Sequence, residues 1–264
     1  MSQNSPESIL PAERRKRILE YIQLNGSGRI EELAATLDVS EATVRRDLAL
    51  LATEGFVDRT HGGAVISESS TAFERRYPEK RLTCPEEKRL IGLEAAAMVA
   101  DGETLILDSG STAFEIARNL TLHKNLTIIT YDLFIAGSIN YDPSTTVVVT
   151  GGIRREGFNV LIGPIVEDLL RQVKVNKAFL GADAVDFAQG ITNATFVEVS
   201  IKRLIIEAAS QVILAADHSK FGKAALAKVC SLDRVHHVIT DSKVDDSIVQ
   251  GLQRMEIPTT IVKL

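Results

Sequence analysis

The sequence predicts an α/β chain in two parts: a small N-terminal unit of helices closed by a hairpin, and a larger unit on a mainly parallel sheet. Three observations carry this. First, Ile30, Leu33, Ala34 and Leu37 recur at i, i+3, i+4 and i+7, a helical stripe. After the brief turn Val39-Ser40 a second stripe follows in Val44, Leu48 and Leu51, and two short helices joined so tightly form a helix-turn-helix. Second, Phe56-Val57 and Ala64-Val65-Ile66 flank the turn-prone stretch Asp58 to Gly63, which adds a small β-hairpin, or wing. Third, from Glu86 onward short runs of β-branched residues alternate with helical segments, the pattern of a parallel sheet covered on both faces.

The whole chain sets the bounds. Its 264 residues suffice for two ordinary domains, and 45% apolar content is ample for real cores. The formal charge of -5 argues against a protein coated in positive charge. Even residues 1–66 carry more acidic than basic side chains. Any contact with DNA must therefore come from placement: Arg14, Arg15, Lys16 and Arg17 in one cluster, Arg45 and Arg46 in another, Arg59 beside His61. Cys84 and Cys230 show neither metal-ligand spacing nor a disulfide framework and read as reduced thiols, with no metal and no cofactor expected. Met1 to Pro11 is polar, unlike a signal peptide, and no run of about eighteen apolar residues occurs. The expectation is a cytoplasmic protein that does not enter a membrane.

In chain order, residues 1–10 read as a tail. Pro11 can start a helix, in which Ile18, Leu19 and Ile22 face inward, and Asn25-Gly26 ends it. The winged unit spans 11–66, with the helix-turn-helix at about 28–47. Ser40 is a good N-cap for the second of the paired helices. Thr43, Arg45 and Arg46 fall off its apolar face, and a helix of this kind fits the major groove. A solvated basic face is the structural alternative. The wing tip Arg59-Thr60-His61-Gly62-Gly63 offers a cation and exposed backbone to phosphates; the alternative is an ordinary hairpin with glycine at positive φ. The candidate DNA-contacting residues are Ser40, Thr43, Arg45, Arg46, Arg59, His61 and Gly62.

Residues 67–85 carry Arg75-Arg76 and Lys80-Arg81 with few aliphatic side chains, and read as a solvated linker with a short helix around Phe73 to Tyr77. The larger unit then covers 86–264, with strands expected at 103–107, 126–130, 146–150, 177–180, 212–216, 235–240 and 259–262.

Ligands of such folds sit at the carboxyl ends of the strands. After the first strand come Asp108, Ser109, Gly110, Ser111 and Thr112, opening a helix. Small residues there let backbone N–H groups converge beside a helix N-terminus, a cradle for phosphate or carboxylate. It is neither a Walker loop nor a dinucleotide fingerprint. Other strand ends add Thr130 and Tyr131, Gly151 and Gly152, Asp183, and Asp217 with Lys220; Lys202 lies on a later helix. Lysines and carboxylates around an anion cradle suit a phosphorylated sugar or polyol. For each residue, capping or packing is the alternative role.

Both parts resemble the DeoR family of bacterial transcription regulators. The N-terminal likeness rests on Glu32-Leu33-Ala34, Val39-Ser40, Thr43 to Leu48, Leu51, Glu54-Gly55 and Arg59 to Ala64. The C-terminal likeness rests on Glu103 to Thr112, Thr130, Gly151-Gly152, Phe179-Leu180-Gly181, Gly190-Ile191-Thr192, Glu198 with Lys202-Arg203, and Ala216 to Gly222. The resemblance implies an effector domain similar in fold to ribose-5-phosphate isomerase and CoA transferases. It also implies a repressor of a carbohydrate-use operon that binds double-stranded operator DNA, is relieved by a phosphorylated sugar or polyol, and forms dimers or tetramers. One departure is visible: the family commonly has Asn after the strand-end threonine, where this chain has Tyr131-Asp132, a bulkier, acidic lip. Two alternatives accompany this reading. One is a sugar-phosphate isomerase with a DNA-binding head, motivated by Gly181-Ala182-Asp183 and Lys202; the other is a transcriptional activator.

Overall fold

The computed structural model describes residues 10–67, 71, 74, 77–155 and 158–264. The chain divides into two compact units between residues 74 and 75. That division lies inside the segment expected as a linker.

The N-terminal unit begins with α1 (Pro11–Asn25), which has proline at its start and ends on Gly26 at φ 78°. Next come β1 (Ser27–Arg29), α2 (Ile30–Leu37) and α3 (Glu41–Thr53). Asp38 closes α2 in the left-handed region, and the Ser40 hydroxyl caps α3 by accepting from the Thr43 N–H at 3.2 Å. Ile18, Ile22, Leu33, Val44, Leu48 and Leu51 form one core, so the three helices bury the stripes their spacing predicts.

The wing consists of β2 (Val57–Thr60) and β3 (Gly63–Ile66). Thr60 pairs with Gly63, so only His61-Gly62 connects them, with Gly62 at φ 103°. The connection is shorter than the stretch Asp58 to Gly63 suggested, because a two-residue turn lets the ladder run to its base. β1 was not expected from the sequence. It adds antiparallel to β3, giving the order β1-β3-β2. Gly63 makes this possible: a Cβ there would stand 2.3 Å from the Gly28 carbonyl oxygen.

The larger unit runs α4 (Tyr77–Leu82), α5 (Pro85–Ala97), β4 (Thr104–Leu107), α6 (Ser111–Asn119), β5 (Thr127–Thr130), α7 (Leu133–Ser138) and β6 (Thr146–Val149). It continues with β7 (Ile153–Arg154), β8 (Leu161–Ile162), α8 (Pro164–Gln172), β9 (Val175–Leu180), β10 (Ala184–Asp186), β11 (Gly190–Asn193), α9 (Val199–Ala208) and β12 (Ala209–Ala215). It ends with β13 (Ala227–Cys230), β14 (His237–Asp241), α10 (Asp246–Arg254) and β15 (Thr259–Val262).

Seven strands form one parallel sheet in the order β15-β14-β12-β9-β4-β5-β6. Successive side chains of a strand point to opposite faces, and the two cores show it. Ile106, Ile129, Ala178, Leu180, Val212 and Leu214 pack with Val166, Leu170, Ile201 and Ile205 from α8 and α9. Leu105, Leu107, Ile128, Phe179 and Ile213 pack with Ile91, Ala95, Phe114 and Ala117 from α5 and α6. The chain lays strands outward from β4 in one direction through β5 and β6, then returns to β9 and builds the other way. β4 and β9 therefore flank the switch point, where a crevice opens at the strand ends.

Two features were not expected: the antiparallel sheet β10-β11-β13 and the hairpin β7-β8. In the segment read as a linker, Tyr77–Leu82 is helical. Phe73, where a short helix was expected to begin, lies outside the described residues.

Candidate functional sites

On the winged unit the structure separates three consecutive residues of α3. Arg45 and Arg46 are exposed, whereas Asp47 is buried. The Arg45 guanidinium reaches back 2.7 Å to Glu41 one turn earlier, an exposed pair in which both partners stay in solvent. Asp47 points inward to Arg14 Nε at 2.5 Å, with Arg15 at 3.9 Å. Arg14 was grouped with the outward basic cluster of α1. It instead braces α1 to α3, and the carboxylate holds its guanidinium firmly charged: the side-chain hydrogen bond to Asp47 outweighs burial. Ser40 caps the helix while staying exposed; Thr43 is half-buried, its hydroxyl 2.9 Å from that of Ser40. Arg59, His61 and Gly62 are exposed at the wing tip.

The second constellation forms at the carboxyl ends of β4 and β9. Asp108 follows β4 and is fully buried. Its Oδ2 accepts from the Lys202 ammonium and from the Gly181 N–H at 2.8 Å, and Lys202 also donates to the Gly181 carbonyl at 2.9 Å. The Tyr131 hydroxyl donates to Asp108 Oδ1 and lies 3.1 Å from both Ser109 Oγ and Glu198 Oε2. Ser109 donates to Glu198 at 3.0 Å, and Arg155 closes the far side on Glu198 at 2.8 Å. Arg155 also lies over the Phe158 ring, 3.9 Å from its centre. Two carboxylates, a lysine and an arginine thus balance charge around one buried phenol. Burial and the neighbouring Asp108 and Glu198 push the Tyr131 hydroxyl well above its ordinary range, so it stays a neutral donor.

Next to this network α6 begins at Ser111 without a side-chain cap. Gly110, at φ 103°, gives its N–H to Asp132 Oδ2 at 3.1 Å. Asp132 Oδ1 caps α7 through the N–H groups of Phe134 and Ile135. Asp183 Oδ2 accepts from the Ala194 N–H at 3.1 Å, and Lys80 of α4 reaches Oδ1 at 3.1 Å. Burial alone would raise the Asp183 carboxyl. Lys80, the Ala194 N–H, Lys202 and Lys220 together hold it far below the usual range. Lys220 is pushed down to about 8, first by burial and further by Lys80 and Lys88, against the pull of Asp217 and Asp183.

The sequence-selected residues divide into three groups. Asp108, Ser109, Gly110, Ser111, Asp183, Lys202 and Lys220 surround this crevice, and Thr112 sits half-buried in the first turn of α6. Tyr131 is its floor rather than a lip, being fully buried. Asp132, the acidic half of the departure, is likewise buried and spends its oxygens on caps. A third group serves local structure. The Thr130 hydroxyl accepts from the Asp132 N–H. Gly151 and Gly152 adopt positive φ, and a Cβ on Gly152 would stand 2.8 Å from the Ile162 carbonyl oxygen. Asp217 Oδ1 accepts from the Ser219 N–H and hydroxyl, while Oδ2 is buried without a hydrogen bond, 3.9 Å from Lys88. Lys80, Arg155 and Glu198 were not selected as site residues from the sequence. Glu198 entered only through the family resemblance, four residues before Lys202, and Lys80 stands in a charged stretch with no periodicity to single it out.

Cys84, Asp217 and His218 bring possible metal-ligating atoms within 4.8 Å of one another. The donor types suit zinc. Yet the Lys88 ammonium already faces Asp217, and burial, with Asp217 and Glu87, raises the Cys84 thiol rather than freeing its thiolate. We assign no metal there. An open cleft of about 440 Å³ between α9 and β13, lined by Arg203, Glu207, Cys230 and Arg234, contains none of the residues selected for ligand binding. Among the described residues no helix is long and apolar enough to cross a membrane.

A winged helix-turn-helix with outward arginines, joined to an α/β unit with a charged crevice at its topological switch, defines the class of two-domain DNA-binding regulators. Residues 14–70 match the DeoR-like helix-turn-helix domain, and residues 83–242 match the DeoR C terminal sensor domain. The chain is 30% identical to the HTH-type transcriptional regulator GolR of Listeria innocua, over 97% of this chain and 100% of that protein. It is 35% identical to the HTH-type transcriptional regulator YulB of Bacillus subtilis, over 97% and 98% of the two chains. It is 32% identical to the glycerol-3-phosphate regulon repressor of Escherichia coli, over 91% and 94%. The chain belongs to the DeoR family of helix-turn-helix transcriptional regulators and is a sequence-specific DNA-binding regulator. Among solved structures, ribose 5-phosphate isomerase A of Methanocaldococcus jannaschii superposes with TM-score 0.37 at 20% identity, over 52% of this chain and 54% of that one. So loose a superposition carries no argument, and the architecture rests on the sheet order given above. The residues behind the isomerase alternative also have other commitments: Lys202 serves Asp108 and the Gly181 carbonyl, and Asp183 is paired with Lys80.

Proposed function

We propose that the α/β unit senses a phosphorylated sugar or polyol in the crevice between the ends of β4 and β9, and that occupancy releases the winged unit from operator DNA. The protein then acts as a repressor of carbohydrate-use genes. One observation carries the reading: the uncapped start of α6 opens beside three lysines, Lys80, Lys202 and Lys220, and the carboxylates Asp108 and Asp183. Helix N–H groups and ammonium groups attract a phosphate; carboxylates accept hydroxyl protons from a polyol. The relative named as a glycerol-3-phosphate regulon repressor supports the same ligand class. A two-fold dimer would set two α3 helices in successive major grooves, about 34–36 Å apart.

The test is thermal stability of the full chain with sn-glycerol 3-phosphate, ribose 5-phosphate, glucose 6-phosphate, fructose 6-phosphate and inorganic phosphate, against the unphosphorylated compounds. A ligand at a hundred times its Kd stabilises by about 2.7 kcal/mol. Equal shifts from phosphorylated and unphosphorylated partners, or none from any, would defeat the proposal. A pH dependence accompanies it. Lys220 titrates at about 8, so it is charged at pH 7 and neutral at pH 9. The protonated form binds the anion, so affinity falls as pH rises through about 8, by up to about tenfold per unit. A phosphate monoester is already mostly dianionic there and does not contribute to the slope. Calorimetric titration from pH 6.5 to 9.5 should show the fall in the natural protein and a flat profile in Lys220→Met.

A further inference from the structure

Lys80 lies in residues 67–85, a stretch whose sequence reads as solvated linker, yet its side chain ends inside the charged crevice. We propose that Lys80 is a ligand-contacting residue of this site, and that a bound phosphorylated compound draws its ammonium away from Asp183. The proposal rests on the sensor reading above and adds to it the point at which occupancy reaches the chain leading to the wing.

Hydrogen bonds to the backbone of Lys80 fix where its side chain starts, and the ammonium at its end meets Asp183. The Lys80 carbonyl accepts from the Lys88 ammonium at 2.6 Å and from the Ser111 hydroxyl at 3.3 Å, so this residue stands at the first turn of α6. Lys88 also holds the Thr83 carbonyl at 2.5 Å. The Lys80 side chain then spans to Asp183 Oδ1, with both partners mostly shielded from solvent. An anion seated on the α6 N-terminus lies beside Lys80 as well as Lys220. A phosphate monoester carries nearly two negative charges against one on Asp183, and offers three acceptor oxygens. It therefore competes well for the same ammonium, while Asp183 is freed to accept a sugar hydroxyl.

The segment that would register the exchange is lightly held. α4 spans six residues and contains no buried side chain. Besides the contacts of Lys80 and the grip of Lys88, its described anchors include aromatic and cationic edges. Tyr77 meets Phe134 with ring centres 5.1 Å apart, and Arg81 lies 5.8 Å above the Phe114 ring. Elements with few buried contacts open at the low end of the stability range. Changing the partner of Lys80 thus acts on a helix that a small difference can reshape, at the end of the chain segment that follows β3.

The experiment titrates the full-length natural protein, Lys80→Met, Lys80→Arg and Lys80→Gln with the same five phosphate compounds by calorimetry. Amide exchange of residues 77–83 is followed with and without the compound that binds the natural protein. The expected result is a Kd raised about tenfold in Lys80→Met, largely recovered in Lys80→Arg, with ligand-dependent exchange in 77–83 lost in Lys80→Met. Lys80→Gln replaces Lys80→Met if that variant does not fold. A Kd change below threefold, or a loss that Arg does not recover, overturns the role of Lys80 while leaving the sensor reading intact. Absence of binding by the natural protein to all five compounds removes both.

Discussion

Replacing Lys202 with methionine is expected to cost the larger unit about 3–5 kcal/mol of stability, the usual loss when one member of a buried ion pair is removed. For a unit of this size that lowers its thermal transition by roughly 6–20 °C. The cause lies in what remains. Asp108 is fully buried, and without the Lys202 ammonium its charge rests on the Gly181 N–H and the Tyr131 hydroxyl alone among the described contacts. The Gly181 carbonyl loses the same donor. Removing both charges should restore much of the loss, because Asp108→Asn combined with Lys202→Met leaves a neutral amide among dipoles already aimed at it. Scanning calorimetry of the four proteins measures this cycle. If the single variant loses less than 1 kcal/mol, or the double variant simply sums the singles, the pair does not brace the switch point. The result also bears on ligand affinity: the Ser109 to Thr112 turn is positioned by Asp108 on one side and by the Gly110–Asp132 bond on the other. A loosened turn presents its N–H groups poorly even to a ligand that never touches Lys202.

The parallel sheet was readable from sequence because its strands are buried on both faces. Thr104 to Leu107, Thr127 to Thr130 and Val212 to Ala215 are continuous β-branched or aliphatic runs, each bounded by helical segments. The paired helices were readable because each sets an apolar stripe on one core. What escaped lacked such a signal. β7 and β8 have two residues each and β1 has three, too short for any period to register. β10 and β11 are a short local hairpin of three and four residues, and β13 joins them from more than thirty residues further along the chain. The site was partly legible for a different reason. Asp108 to Thr112 sits directly after a recognisable strand, where fold physics locates ligands. Tyr131 also follows a strand, yet its ring turns inward and its hydroxyl is bound to three neighbours from distant segments. Arg14 belongs to a run of four basic residues, and only the position of Asp47, a helix away, decides that it faces inward. Lys80 is the extreme case: its partner lies 103 residues further along the chain.

Arg45→Ala and Arg46→Ala are expected to weaken operator binding while leaving the fold intact, and Arg14→Ala to do the reverse. A bidentate arginine–guanine contact contributes about 1–3 kcal/mol of base discrimination, or roughly 5- to 150-fold in affinity. Neither outward arginine is needed for packing. Arg45 has only the exposed pair with Glu41 among the described ion pairs, and such helix pairs are worth about 0.3–0.5 kcal/mol. Stability of both variants should therefore stay within about 0.5 kcal/mol of the natural chain. Arg14→Ala instead leaves the buried Asp47 with Arg15 at 3.9 Å, so the winged unit itself loses stability and DNA binding falls only as it melts. The wing adds a third behaviour. Arg59 is exposed beside the His61-Gly62 turn; if it meets phosphate, Arg59→Ala weakens operator and unrelated DNA alike and lowers the salt slope by about one. Footprinting on the DNA upstream of this chain's own gene locates an operator, and fluorescence anisotropy against that duplex and a scrambled one separates the three effects. Unchanged affinity and unchanged discrimination in both Arg45→Ala and Arg46→Ala would remove α3 as the element that reads bases, whatever the sensor crevice proves to bind.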